Sequence, residues 1–262
     1  MKLALSNIAW PARDDVRMYS FMKALGFLGL EIAPTRVFEM PVYDKNKEAA
    51  GFSDMLAAEY GMAVCSVQSI WYGRTEKLFG APHERALLLD YTKRAVDFAA
   101  ALNCRNLVFG CPKNRAANGT YNEETALLFF SEVAEYAAQN GCVLALEANP
   151  AIYETDFINT TSEAFGFCRK VGLPGLKVNL DFGTVIENGE DFGAVSENID
   201  LVSHVHISEP FLKPIAVRNE HKALRKVLED GGYKGFVSVE MGSCDSLSFI
   251  ESAAEYLCGV FK

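Results

Sequence analysis

The sequence predicts an α/β fold in which eight parallel strands, each followed by a helix, close into a (β/α)8 barrel. Short apolar runs alternate along the chain with amphipathic stretches, an order that favours parallel pairing of the strands. The 262 residues give about 33 per strand–helix unit, near the usual repeat length. The last four apolar runs each end in a metal-capable side chain, and a closed barrel gathers such ends on one rim. These observations predict one domain over residues 1–262.

In the first half of the chain, turn residues and prolines close the apolar runs. Pro34 cannot extend a ladder beyond the second run, and Gly110 and Pro112 end the fourth. The stretch His83–Leu102 has apolar residues at helical spacing. The predicted strands are Lys2–Ala9, Gly29–Ala33, Ala63–Gln68 and Asn106–Phe109, and the predicted helices are Asp14–Leu25, Lys47–Tyr60 and His83–Leu102.

In the second half, capping residues mark the helix ends. Asn140 and Gly141 stop one helix, Thr160 and Glu163 form a capping box before the next, and Asp230–Gly232 stops a third. The predicted strands lie within Val143–Pro150, where the strand ends at Glu147, and at Lys177–Asp181, Leu201–Ile207 and Phe236–Glu240. The predicted helices are Glu124–Gln139, Ser162–Val171, Phe192–Asn198, Glu220–Glu229 and Leu247–Phe261.

A doubly wound open sheet is the alternative to the barrel. That fold binds nucleotides through a glycine-rich turn after the first strand. Here the first turn reads NIAWPARDD over residues 7–15, which contains no glycine to cradle a pyrophosphate. The turn therefore favours the barrel.

Composition narrows the class of protein. Half of the residues are hydrophobic and 23% are charged, which predicts a sizeable core. The net charge of −9 argues against a surface that neutralises a nucleic-acid backbone. Seven cysteines without a CxxC pair indicate reduced core thiols, and neither a signal peptide nor a membrane span is recognisable. We therefore expect a cytoplasmic protein without nucleic-acid or membrane partners; its oligomeric state stays open, with a homo-oligomer among the options.

The four metal-capable strand ends are Glu147, Asp181, His206 and Glu240. Any one of them alone is typical of a salt-bridged residue at a barrel rim. If all four point inward, three carboxylates crowd one small volume and repel one another unless a cation lies among them. This set of donors suits one divalent ion, with Mn²⁺ as the preferred assignment and Mg²⁺, Co²⁺ or Zn²⁺ as alternatives.

Four motifs give the chain a family resemblance: EANP at Glu147–Pro150, NLDFGT at Asn179–Thr184, HVHISEP at His204–Pro210 and GYKGFVSVE at Gly232–Glu240. Together with the LALSNIAW start and LEIAP in the second strand, they resemble the xylose isomerase-like TIM barrels. More narrowly, they are similar to the sugar phosphate isomerase/epimerase group, which includes ketose 3-epimerases and inosose dehydratases. The resemblance covers the whole chain, and its motifs are specific for the superfamily rather than for a substrate.

The resemblance implies that Glu147, Asp181, His206 and Glu240 match the family's metal ligands. It also implies that Glu147 and Glu240 act as acid and base on opposite faces of a carbohydrate substrate. The expected activity is a metal-dependent isomerase or epimerase of a sugar or sugar phosphate, acting through a cis-enediolate. Three alternatives stay open: an inosose-type dehydratase, an endonuclease IV-type phosphodiesterase and a sugar-binding barrel without activity. The nuclease type needs additional histidines, whereas this chain has four in total.

The chain departs from many relatives at two positions. Thr184 stands where they carry a histidine, and Glu209 stands where they carry an aspartate. Glu209 remains a candidate substrate contact with an arm one methylene longer.

Further candidate substrate contacts lie in the predicted loops at the same rim. Arg218 and His221 follow strand seven, where barrels often bind phosphate, and either could contact substrate hydroxyls or an anion. The other candidates are Asn149 of EANP, Trp10 and Trp71 as aromatic platforms for a sugar ring, Lys113 and Arg115 as weaker anion contacts, and Glu31 as a supporting hydrogen-bond acceptor. His204 is more typical of a core histidine hydrogen-bonded inside the barrel, with a supporting role beneath the metal as the alternative.

Overall fold

Eight parallel strands close into a barrel in chain order, so the predicted fold class is confirmed. The structure, a computed structural model, describes residues 1–243 and 246–262. Each strand pairs with the next along the chain, and β8 closes the ring on β1. The strands are β1 Lys2–Ser6, β2 Gly29–Ile32, β3 Ala63–Val67, β4 Asn106–Phe109, β5 Val143–Glu147, β6 Leu176–Asp181, β7 Val202–Ile207 and β8 Phe236–Val239.

Helices surround the ring, and local chemistry sets their ends. Thr160 and Glu163 form the predicted capping box, and Asn122 caps another helix by accepting a hydrogen bond from the N–H of Thr125. The helices are α1 Asp15–Ala24, α2 Asn46–Met55, α3 Pro82–Ala101, α4 Pro112–Arg115, α5 Glu123–Gln139, α6 Thr161–Val171, α7 Phe182–Asn188, α8 Gly193–Glu197, α9 Asn219–Asp230 and α10 Leu247–Phe261.

The hydrophobic core lies between the ring and the helices. Leu144, Leu146, Val178 and Leu180 are buried because a parallel barrel covers both faces of its strands. The turn before β6 brings backbone against backbone: a Cβ at Gly175 would lie 1.9 Å from the carbonyl oxygen of Ala134 in α5. Only glycine fits there, so this turn fixes how closely the chain passes α5.

The observed elements follow the predicted ones with small differences. The bounds of β4 and α10 agree with the prediction. The first strand is shorter than predicted, because Asn7–Ala9 form a 3-10 turn. The predicted helix ending at Tyr60 is α2 followed by a π-helical turn over Leu56–Tyr60. Two short helices, α4 and α7, were not predicted, and α7 begins directly after Asp181.

Six of the seven cysteines lie in the described part of the chain, where all six are free thiols and four of them are buried. Cys244 lies outside the described residues. Among the described residues, no helix has the length and apolar character needed to cross a bilayer.

Candidate metal centre

The four predicted ligands meet at the carboxyl ends of four adjacent strands. Strand pairing sets Asp181 beside His206, and the N–H of Glu240 continues the ladder by donating to the carbonyl of Ile207 at 2.9 Å. One ligand atom from each of Glu147, Asp181, His206 and Glu240 lies within 4.8 Å of all the others. The fold therefore builds the constellation that the sequence predicted.

His206 stands between the two glutamates. Its Nδ1 lies 3.1 Å from Oε1 of Glu147 and 3.1 Å from Oε2 of Glu240. Two amides hold Glu147 from its other sides: Asn179 donates to Oε1 at 2.6 Å and Asn149 donates to Oε2 at 3.1 Å. The carboxylate of Glu147 is therefore fixed before any ligand binds.

Asp181 is held by the start of α7. Its Oδ2 accepts hydrogen bonds from the backbone N–H and the hydroxyl of Thr184, both at 2.8 Å, and its Oδ1 accepts one from the hydroxyl of Ser208. Asp181 is thus both a helix N-cap and a candidate ligand. Thr184, where many relatives have histidine, positions Asp181 and lies 2.9 Å from the carbonyl of Ala148.

Beneath the centre, Glu31 holds the opposite edge of the imidazole. Its Oε2 lies 2.8 Å from Nε2 of His206 and 3.1 Å from Nε2 of His204, and all three side chains are buried. Gln68 donates to the other oxygen of Glu31 at 3.1 Å. A carboxylate on Nε2 leaves Nδ1 to face the ligand cluster, the usual support for a metal-binding histidine. Glu31 lies in its predicted supporting place, and His204 is the buried core histidine, paired with Glu31, that the sequence favoured.

Burial and crowded charge shift the protonation of the cluster. For His206, burial opposes the charged form, but the charges of Glu240 and Glu31 outweigh it and raise its pKa well above the ordinary value. Burial raises the pKa of Glu240 to about 7, and burial together with the charge of Glu147 raises that of Asp181. For Glu147, burial is outweighed by the hydrogen bond and charge of His206, and its pKa is lowered.

These residues fit a divalent cation. Protons on the cluster reduce the repulsion among the three crowded carboxylates, and a divalent cation would displace these protons and compensate the negative charges instead. The donor set of three carboxylates and one imidazole nitrogen is one that divalent metals accept. A second group of metal-capable side chains consists of Glu31, His204 and His206. It shares His206 with the first group and supports that histidine from below.

A cavity of about 250 Å³ lies over the cluster. A Cβ at Gly110 would lie 2.7 Å from Oε2 of Glu147, so the chain after β4 passes against this carboxylate because it has no side chain there. The cavity is lined by residues from six of the loops and strand ends: Gln68, Ser69, Val108, Gly110, Cys111, Pro112, Glu147, Asn149, Tyr153, Asp181, Ser208, Glu209, Leu212 and Glu240.

Two further predicted substrate contacts, Asn149 and Glu209, line this cavity. Arg218 is already paired with one of these two residues, Glu209. The guanidinium donates from Nε and Nη2 to the two oxygens of Glu209, at 2.7 and 2.6 Å. Because this fork already holds a carboxylate, the arrangement differs from the predicted open anion site.

His221, Trp10 and Trp71 do not line the cavity, contrary to their predicted places. His221 is buried against the ring of Phe182, with ring centroids 4.3 Å apart, and burial lowers its pKa to about 4. Trp71 is buried beside Phe109 and donates to the hydroxyl of Thr92 at 2.8 Å. Trp10 is also buried and donates to Asp15 at 2.8 Å. Each ring is taken up by packing.

Arg115, predicted as a weak anion contact, is instead wholly buried behind Glu147. Its guanidinium donates to the carbonyl of Glu147 at 2.7 Å and to that of Ile158 at 3.0 Å. Lys113 is exposed and lies in a neighbouring groove. Tyr153 also lines the cavity, but no pattern in the sequence indicates it, because it lies in a loop without periodicity and only the folded loop brings it over the candidate ligands.

The chain is similar to known isomerases and epimerases. It is 29% identical over 179 residues to a human putative hydroxypyruvate isomerase, a match covering 62% of this chain and 63% of that protein. It is 23% identical over 222 residues to a ketose 3-epimerase of Arthrobacter globiformis, covering 80% of this chain and 72% of that one. The crystal structure of D-psicose 3-epimerase with D-tagatose from Clostridium cellulolyticum H10 superposes with a TM-score of 0.78 at 19% identity, covering 100% of both chains.

The human match spans less than two thirds of that relative, and the crystal structure is similar in fold alone. The family profile described as "Xylose isomerase-like TIM barrel" matches residues 20–257, nearly the whole chain. The closed eight-stranded barrel agrees with that match. The chain therefore belongs to the xylose isomerase-like TIM barrel family.

Proposed function

We propose that this protein is a divalent-metal-dependent isomerase or epimerase of a ketose or related keto-sugar. The observation that carries the proposal is the placement of Glu147 and Glu240. Both carboxylates line one cavity, both lie 3.1 Å from the same nitrogen of His206, and they come from β5 and from the end of β8. Because β5 and β8 are not neighbours in the barrel, the two carboxylates could each serve one face of a bound substrate.

A cation held by Glu147, Asp181, His206 and Glu240 would supply positive charge where negative charge develops on substrate oxygens. Glu147 removes the proton next to the substrate carbonyl, giving a cis-enediolate. Asn179 and Asn149 orient its two oxygens through the hydrogen bonds at 2.6 and 3.1 Å. Holding the base in place removes an entropic cost from the reaction.

Glu240 begins in its protonated form and donates its own proton to the enediolate from the opposite face, while Glu147 keeps the proton that it removed. Donation to the same carbon gives an epimer, and donation to the neighbouring carbon gives an isomer. The two activities for which the relatives are named, hydroxypyruvate isomerase and ketose 3-epimerase, both require that a proton be moved next to a carbonyl. This shared step supports the proposal, while the choice of product depends on substrate contacts.

The test is a panel of ketoses, ketose phosphates, hydroxypyruvate and inososes, incubated with Mn²⁺-loaded protein in D₂O and followed by NMR. We expect deuterium to enter at the carbon next to the carbonyl of at least one substrate, with formation of its epimer or isomer. Mg²⁺, Co²⁺ and Zn²⁺ serve as alternative metals in the same assay. A His206→Ala variant controls for exchange that does not need the site.

Absence of exchange with every member of the panel and every metal would contradict the proposal. Exchange that leads to an alkene would instead indicate a dehydratase.

A further inference from the structure

Tyr153 lies over the candidate metal centre but is not one of the four candidate ligands. It ends the 3-10 turn Ala151–Tyr153, which follows β5 and its ligand Glu147. Its side chain lines the same cavity as Glu147, Asp181 and Glu240. A phenol is therefore present in the space where a substrate would lie.

The position of this phenol is fixed by the loop after β7. The N–H of Phe211 donates to the Tyr153 oxygen at 2.7 Å, and the two rings pack edge to face with centroids 5.7 Å apart. Leu212, the next residue, is held at both of its backbone groups: its N–H donates to the carbonyl of Glu209 at 2.9 Å, and its carbonyl accepts from Gly242 at 2.8 Å.

The Tyr153 hydroxyl has a hydrogen to donate. Within residues 1–243 and 246–262, the hydroxyl accepts from Phe211 and no acceptor receives its own hydrogen. A hydroxyl that already accepts one hydrogen bond is a stronger donor of the next. Burial, together with the charges of Asp181 and Glu240, raises the pKa of Tyr153. The phenol is therefore neutral at ordinary pH and acts as a donor rather than as a base.

We propose that Tyr153 binds the substrate by donating a hydrogen bond to a hydroxyl or carbonyl oxygen of the keto-sugar. The inference rests on the proposed function, since it assigns a contact within that same cavity. The donor is pre-placed by Phe211, so little order is lost when the bond forms. The contact would help to select polyhydroxy ketones that carry an oxygen at the matching carbon.

The competing role for Tyr153 is a structural one, in which its hydroxyl only holds the loop of Phe211. Tyr153→Phe keeps the ring and removes the hydroxyl. Phe211→Ala is the matched variant, because it removes the ring contact but keeps the backbone N–H that donates to Tyr153. Tyr121→Phe removes a hydroxyl from a half-exposed tyrosine that does not line this cavity and serves as a control.

The measurement combines these variants with monodeoxy analogues of one unphosphorylated ketose, the one in the panel that the wild-type protein turns over best. Binding to the Mn²⁺-loaded protein is followed by calorimetry, and kcat and KM are measured for each analogue that can react. Melting with and without Mn²⁺ checks that each variant folds and binds metal. We expect Tyr153→Phe to weaken ketose binding or kcat/KM about tenfold, as for one lost hydrogen bond.

The decisive result is a selective one. Wild-type protein should bind one deoxy analogue more weakly than the parent ketose. That difference in affinity should disappear in Tyr153→Phe but persist in Phe211→Ala. If Tyr153→Phe lowers the affinity for the parent ketose and for every analogue by the same factor, or leaves all of these affinities unchanged, the inference is wrong while the proposed function stands. If the Mn²⁺-loaded wild type neither binds nor exchanges any ketose, the proposed function fails and the inference fails with it.

Discussion

Oε2 of Glu31 lies 2.8 Å from Nε2 of His206, so a buried carboxylate sets which nitrogen of this imidazole faces the candidate ligands. Glu31 comes from β2 and His206 from β7, on distant parts of the chain. This contact links the interior of the barrel to the candidate metal centre above it.

The first prediction concerns this support. Glu31→Gln keeps the size of the side chain but removes the charge that favours the orientation of His206. We expect Mn²⁺ affinity to fall by about 10- to 100-fold, the usual effect of losing such a support. Calorimetric titration of metal-free protein measures it. Glu39→Gln makes the same chemical change at an exposed position, and equal affinities in the two variants would contradict the assigned role.

The second prediction concerns pH and metal binding. The raised pKa values of His206 and of Glu240, the latter to about 7, mean that the metal-free cluster keeps protons near neutral pH. A metal must displace them, so its affinity should fall as pH decreases from 8 to 6. Calorimetry in two buffers with different ionisation enthalpies counts the protons released. If no protons are released at pH 7, the ligand assignment is wrong.

The third prediction follows from the same shifts in the metal-free protein. A group whose pKa is raised by folding stabilises the fold below its unfolded pKa and loses that contribution as pH rises through its folded pKa. This sign applies to His206, Glu240 and Asp181 alike. The melting temperature of metal-free protein should therefore fall between pH 6 and pH 9, and Mn²⁺ should restore it. A metal-free melting temperature that rises over this interval would oppose the prediction.

The fourth prediction separates the two glutamates. Replacing Glu147 or Glu240 by Gln keeps a coordinating oxygen but removes basicity, so metal binding should be weakened only partly. Turnover should fall by roughly 10²- to 10⁴-fold, the range for lost acid–base catalysis. Each variant should still exchange, slowly, the proton on the face served by the remaining glutamate. A metal-loaded variant that interconverts substrate at the wild-type rate would exclude a mechanism with two bases.

The fifth prediction concerns Arg115. Its buried guanidinium satisfies the carbonyls of Glu147 and Ile158, so Arg115→Met removes one charged donor from each of them, and the carbonyl of Ile158 keeps the N–H of Asn149 as a donor, at 3.0 Å. We expect the free energy of unfolding to fall by about 3 kcal/mol. Urea denaturation measures this change, and Arg105→Met at an exposed position is the control. Equal stability of the two variants would show that Arg115 is not needed for the loop after β5.

Much of the fold could be predicted because strands buried on both faces leave continuous apolar runs, and the residues that end those runs are visible in the sequence. Glu147, Asp181, His206 and Glu240 could be found for that reason. Loop residues follow no such period. The pairing of Arg218 with Glu209, the burial of His221 and Trp71, and the place of Tyr153 depend on contacts between distant loops. The helix α7 was missed because Asp181 was interpreted as a ligand and not also as a cap.

The two halves of the barrel contribute different residues to the cavity. The four candidate ligands come from the ends of β5 to β8, while Gln68, Ser69, Cys111 and Pro112, which also line the cavity, follow β3 and β4. Part of the cavity is thus built by residues before position 143, whereas all four candidate ligands, and Tyr153 with them, come after it. The loops after β3 and β4 could therefore be exchanged with those of another barrel to reshape the cavity without altering any of the four candidate ligands.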